Sequence, residues 1–186
     1  MLRNFYRCAA LLLLLAPAAA AQTRPAAGVG STLGAEAAAQ LRAQAEECGR
    51  AFVENDFERL AFYTHPKVVR MMGGREQMVS FVRKGVGEMK AEGFETLSYV
   101  PSEPTQVLRV GRQTYAVVPA TLRMRSPGGV LVSESFMIAV SSDGGKNWKF
   151  VSGGSADPAR LKMLFPAAAG RLRMPPRKAP TLEPAP

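Results

Sequence analysis

The sequence predicts an α+β domain, with N-terminal helices packed on a strongly bent antiparallel β-sheet. Three observations carry this reading. Apolar residues recur at helical spacing from Ala37 to Met89, the period shortens to two after Gly93, and turns too short for a parallel crossover separate the period-two runs. Helices first and strands after is the order of α+β folds, unlike the alternation that builds a parallel sheet. A chain of 186 residues with 47% apolar content has room for one such domain with a real core.

The first helix shows one face at Ala37, Ala38, Leu41, Ala45, Cys48 and Phe52, with Arg42, Glu46, Glu47 and Arg50 largely off it. Asn55-Asp56 supplies the N-cap of a short helix from Phe57 to about Tyr63. Pro66 opens a third helix, Lys67–Met72, which Gly73-Gly74 ends. The fourth, Arg75–Glu92, aligns Met78, Phe81, Val82, Gly85, Val86 and Met89 on one stripe and closes at Gly93. Strands are expected over Phe94–Val100, Gln106–Val110, Gln113–Arg125, Val130–Ser141 and Asn147–Ser152, with a short last helix over Asp157–Phe165. Pro119 cannot donate a ladder hydrogen bond, so it predicts a bulge or an edge, and a bulge bends a sheet toward a cone.

Both flanks differ from this body. Residues 1–21 carry Arg3 and Arg7, then the apolar run Ala9–Pro17, then Ala19-Ala20-Ala21, the pattern of a secretory signal peptide. That run is shorter than the roughly 20 residues of a membrane span, and no later segment approaches that length, so no transmembrane segment is expected. The expected mature protein is exported, periplasmic or secreted, with a linker over 22–33, the folded domain over 34–166, and a Pro-rich basic tail over 167–186 read as mostly disordered. Cleavage leaves Cys48 as the one cysteine, which excludes an intrachain disulfide and predicts a buried, inert thiol. The formal charge of +9 falls to +7 once Arg3 and Arg7 are gone, and the tail holds +3 of it through Arg171, Arg173, Arg177 and Lys178 against Glu183. Basic residues gathered in the flanks of an exported chain argue against nucleic acid and leave weak contact with an anionic envelope surface.

Local motifs add a resemblance. Asn55-Asp56-Phe57-Glu58-Arg59-Leu60 looks like the opening of the second helix in the nuclear transport factor 2-like superfamily, which includes SnoaL-like and ketosteroid-isomerase-like proteins. Tyr63-Thr64-His65-Pro66 with Met72-Gly73-Gly74, and Asp143 to Phe150, resemble an exported bacterial branch of it, and the likeness covers most of 34–166. It implies a cone with an apolar pocket and, in many members, a homodimer through the sheet. Members range from enzymes to pure binding modules, so the resemblance decides no chemistry.

Candidate chemistry rests on few residues. Ser141 to Trp148 matches S-x-D-G-G-x-x-W, a hairpin turn in which the Asp143 carboxylate accepts backbone N–H groups and Trp148 packs on the hairpin; sugar or ligand binding by Trp148 is the functional alternative. His65 titrates near neutral pH and would serve as acid or base if it faced a pocket, or else as a cap. Glu134 interrupts the apolar row Val130, Val132, Phe136, Ile138 and Val140. Lining the cone, its pKa would rise and suit proton abstraction; otherwise it pairs with Arg123 or Arg125, or its face is exposed to solvent. Tyr63 or Tyr115 would then donate a hydrogen bond. Tyr99, Met124 and Met137 are candidate pocket linings, and Arg123 a candidate anion holder. One histidine without a carboxylate cluster predicts no metal, and Gly85-Val86-Gly87 sits inside a helix, so no cofactor loop is expected either. The expected function is a non-catalytic module for a small apolar molecule or a partner segment. The alternatives are a cofactor-independent isomerase, dehydratase or cyclase, and envelope binding through the basic tail.

Overall fold

The computed structural model describes residues 31–176 and 178–184, so the expected signal peptide and most of the linker lie outside the described residues. Helix α1 (Ala35–Val53) buries Leu41, Ala45, Cys48, Gly49 and Ala51, close to the expected stripe. Helix α2 (Phe57–Tyr63) begins where Asn55 turns to φ +59° and the Asp56 carboxylate accepts the Arg59 N–H at 3.0 Å. Helix α3 (Pro66–Met71) has Pro66 in its first turn and His65 as its cap. Helix α4 (Arg75–Ala91) turns its stripe differently from the expectation: Met78 and Val79 are buried, while Phe81 is 70% exposed. The reason is its partner. It packs on α2 and α3, where Phe57, Ala61 and Val69 receive Met78 and Val79.

Strands β3 (Gln113–Ser126) and β4 (Gly129–Ser141) form a long hairpin in unbroken antiparallel register from Thr114↔Ser141 to Ser126↔Gly129. Strands β1 (Glu95–Pro101) and β2 (Gln106–Val110) share the outer edge of β3. Strands β5 (Lys149–Ser152) and β6 (Thr181–Glu183) share that of β4. The result is a strongly curled antiparallel sheet, a half-barrel. Pro119 causes no bulge in it, for Pro119↔Phe136 lies in continuous register. Its carbonyl accepts the Ser102 N–H at 2.8 Å. A strand residue points its N–H and C=O to the same edge, so the missing donor falls in the gap where β1 has ended and β2 has not begun. The irregularity lies instead in β1, between Thr96 and Ser98.

Away from its turn the hairpin is buried on both faces. Ala116, Val118, Met137 and Ala139 face α1, together with Trp148 and Phe150. Tyr115, Val117, Ile138 and Val140 face the opposite way, onto Val151, Leu161, Leu164 and Phe165. Helix α5 (Pro158–Leu164), capped by Asp157, covers part of this second face. The C-terminal segment covers the rest, with Ala168 and Leu172 buried in the same cluster and β6 paired to Val130–Val132. The described part of the tail, expected to be disordered from Ala167, is thus an ordered strap. Covering an apolar sheet face outweighs its proline content.

The β4–β5 turn ties the sheet to α1. Ser141 Oγ donates to Asp143 at 2.8 Å and accepts the Gly145 N–H at 3.0 Å, and Asp143 accepts from the Asn147 N–H and Nδ2 at 3.0 and 2.7 Å. Those bonds hold the Asp143 carboxyl down at about 2. Trp148 is wholly buried, its Nε1 donating to the Gly145 carbonyl at 2.9 Å and its N–H to Gln44 Oε1 of α1 at 2.8 Å. Gly145 has φ +96°, and a Cβ there would lie 2.4 Å from that of Ala37. Gly145→Ala should therefore lower stability by about 2–4 kcal/mol, from strain and overlap together. Gly144→Ala, strained at φ +80° but in open space, should cost about 1–2 kcal/mol. Gly85→Ala, inside α4 with nothing near it, should add about 0.5–1 kcal/mol. Urea unfolding of the three variants checks this order.

Candidate functional site

A cavity of about 300 Å³ lies between the helices and the α1-facing side of the sheet. Its wall comprises Cys48, Gly49 and Phe52 from α1, Leu60 and Thr64 from α2 and its cap, Val68 and Met72 from α3 and its cap, Met78, Phe81 and Val82 from α4, and Tyr99, Met137, Phe150, Val151 and Ser152 from the sheet. Because α4 leans on α2 and α3, the space between it and the sheet stays unfilled, and the exposed Phe81 ring stands at the rim. Gly49 lets β1 come close: a Cβ there would meet the Tyr99 carbonyl oxygen at 2.8 Å.

No side chain of this wall carries a charge at neutral pH. Burial pushes the Cys48 thiol up to about 12, against a small opposing pull from Lys149. Burial likewise raises the Tyr99 phenol to about 12, although a hydrogen bond with Ser135 pulls the other way. Thr64 Oγ1 is committed, donating to the Leu60 carbonyl at 2.8 Å. Such a wall can shelter an apolar molecule and offers it no group that gains or loses a proton near pH 7.

Of the residues nominated from sequence, Met137 and Tyr99 line this cavity. Glu134 does not. Its row faces α5 and the strap rather than the helical layer, and Glu134 lies beyond the covered stretch, exposed and 2.9 Å from Lys178 Nζ. That corrects the readings of Glu134 as a cone residue and as a partner of Arg123 or Arg125, while the solvent-exposed alternative holds for Glu134 itself. Arg123 pairs with Glu183 at 2.7 Å and Arg125 with Glu95 at 2.6 Å, so Arg123 already holds a carboxylate of its own chain. Trp148 is sealed in the core and presents no face to a ligand. Met124 sits between Thr96 and Leu131 on the outer half of the sheet, away from the cavity wall. Tyr63 packs edge-on to Phe62 and tilted on Phe150, and its pKa is raised, by burial and then by Glu47.

His65 and Tyr115 share a neighbour, with ring centroids 5.0 and 5.4 Å from that of Phe165. Neither is free for chemistry. Tyr115 is buried and its hydroxyl donates to Gln113 Oε1, while His65 Nδ1 caps α3 by accepting the Lys67 N–H at 3.2 Å. Sequence reasoning missed Leu60, Val68, Met72 and Phe150 as wall residues. For Leu60, Val68 and Met72 the signal was the apolar faces of the short helices, and for Phe150 its place on β5, all of which read simply as core. Among the described residues no group of three His, Cys, Asp or Glu side chains gathers as a metal site would need, and no helix is long and apolar enough to cross a membrane. No family model, curated protein or solved structure matches the chain.

Burial, with Lys67 and Arg70 adding to it, lowers the His65 pKa from 6.5 to about 4. The unfolded chain then takes up its proton first as pH falls, so stability drops between about pH 6.5 and 4, by up to roughly 3 kcal/mol. His65→Asn keeps a capping acceptor and removes the titration. Denaturant midpoints measured at pH 7 and pH 4.5 should fall farther for the wild type than for this variant.

Proposed function

We propose that the protein is an exported, non-catalytic binding module of the nuclear transport factor 2-like kind, whose 300 Å³ cavity takes a small uncharged apolar molecule. The observation that carries this reading is the wall: hydrocarbon, aromatic and thioether groups with neutral hydroxyls and a thiol, and no charged side chain. An ionic ligand would be desolvated there without a counter-ion. The volume falls at the small end of ligand pockets, and Met72, Met78 and Met137 give the wall an adaptable surface. Helices followed by a curled antiparallel sheet support the family resemblance, and residues 1–21 support export. An isomerase reading needs a base and a donor facing one cavity. None of Glu134, His65, Tyr63 and Tyr115 lines this cavity, so the binding reading is preferred.

Native mass spectrometry of the exported protein should retain a small organic mass, and the neutral fluorophore N-phenylnaphthylamine should bind and be displaced by it. Val82→Trp, which fills the cavity from α4, should weaken the fluorophore at least about tenfold, whereas Glu134→Gln should leave it unchanged. No bound fluorophore, or equal binding by Val82→Trp at unchanged stability, would overturn the reading.

A further inference from the structure

The C-terminal strap is held firmly at its start and loosely at its end. Leu172 and Met174 pack with the core behind α5. Gln106 grips the strap twice, Nε2 donating to the Arg171 carbonyl at 2.9 Å and Oε1 accepting the Arg173 N–H at 2.8 Å. Farther on, Pro175, Pro176 and Lys178 wall a cavity of about 530 Å³ over Phe136 and Glu134 instead of closing down on the sheet. Among the described residues the remaining contacts are exposed ones: Lys178 to Glu134 at 2.9 Å, Glu183 to Arg123 at 2.7 Å, Thr181 Oγ1 to the Val132 carbonyl at 3.4 Å, and the three ladder positions of β6. Exposed ion pairs hold weakly, and a three-residue edge strand opens readily. Pro175, Pro176 and Pro180 each fix the backbone at their own positions.

The surface beneath is nonetheless selective. Glu134 on β4 meets a basic side chain, Arg123 on β3 meets an acidic one five residues later in the strap, and the β4 edge at Val130–Val132 takes the backbone in antiparallel register. We propose that this edge is a docking surface for residues 178–183 of a second copy of the chain, two molecules pairing by reciprocal exchange of their C-terminal strands. A second copy fits because its strap reproduces every one of these contacts, charge for charge, so exchange sacrifices none of them. Pro175 and Pro176, which wall the cavity, mark where the strap can part from the sheet. Tethering favours the closed monomer in dilute solution, and exchange rises with concentration. This inference is independent of what fills the apolar cavity.

Val132 and Thr181 are paired across the β4–β6 ladder, within reach of a disulfide once both are cysteine. Full-length Val132→Cys and full-length Thr181→Cys, mixed and oxidised, should give a disulfide-linked heterodimer whose yield rises with concentration, above the background of either protein oxidised alone. Adding Glu134→Lys to the first should cut that yield several-fold, and adding Lys178→Glu to the second should restore it. Cross-linking confined to monomers of a Val132→Cys/Thr181→Cys double variant would overturn the proposal. So would a heterodimer yield that ignores the charge swap, or no cross-link in any of these proteins.

Discussion

Val117 and Val118 are adjacent on β3, point to opposite faces, and are both sealed from water, as are Ile138 and Ala139 beside them on β4. A sheet with two apolar faces needs two covers, and that requirement orders the rest of the molecule. Helix α1 with Trp148 and Phe150 covers one face. The second face would lie partly open if only α5 covered it, since Ala168 and Leu172 come from beyond that helix. Each edge of the hairpin carries two short strands instead of one long one.

The first cover is fastened at one end. Gln44 binds the Trp148 N–H and, through Nε2, the Lys146 carbonyl at 2.8 Å, while Gly145 admits Ala37 against the turn. Near the other end of α1, Gly49 admits Tyr99. Helix α1 is therefore pinned to the sheet at both ends of its buried stripe. Helix α4 has no such fastening to the sheet and follows α2 and α3. The cavity opens at this boundary between a helix that must lie on the sheet and one that need not.

Much of the architecture was legible in the order of periodicities: every expected helix and strand has its counterpart, and the α+β class follows from them. The strap was not, because proline content was weighed as disorder while its use as a cover went uncounted. The signal was present in Tyr115 to Val118 and Phe136 to Val140, which are apolar at each position. Strands buried on both faces lose the alternation that marks a half-exposed one. The same omission misplaced Glu134: its row does face apolar packing, but on the side that α5 and the strap occupy. Of its two alternatives, a bulge or an edge, Pro119 meets the second. A proline needs an edge only on the side to which its nitrogen points, and the edge of β3 is interrupted just there. Of the candidate site, only Met137 and Tyr99 could be read from strand alternation, since the helical walls look like core until α4 is seen to stand off the sheet.

Charge and cavity are kept apart by the same distribution of burial. Where the fold buries a titratable group it shifts it toward its neutral form: His65 downward, Cys48 and Tyr99 upward, each with desolvation as the first cause. None of the three has a buried counter-ion, so none can hold charge at pH 7 without a desolvation cost. On the outer half of the sheet Glu134, Arg123 and Arg125 are answered by Lys178, Glu183 and Glu95 across exposed surface. Two of those three partners come from the strap. The segment that closes the second apolar face therefore also neutralises the outer sheet, and the uncharged cavity on the opposite face is left to the chemistry of hydrocarbon, sulfur and aromatic rings.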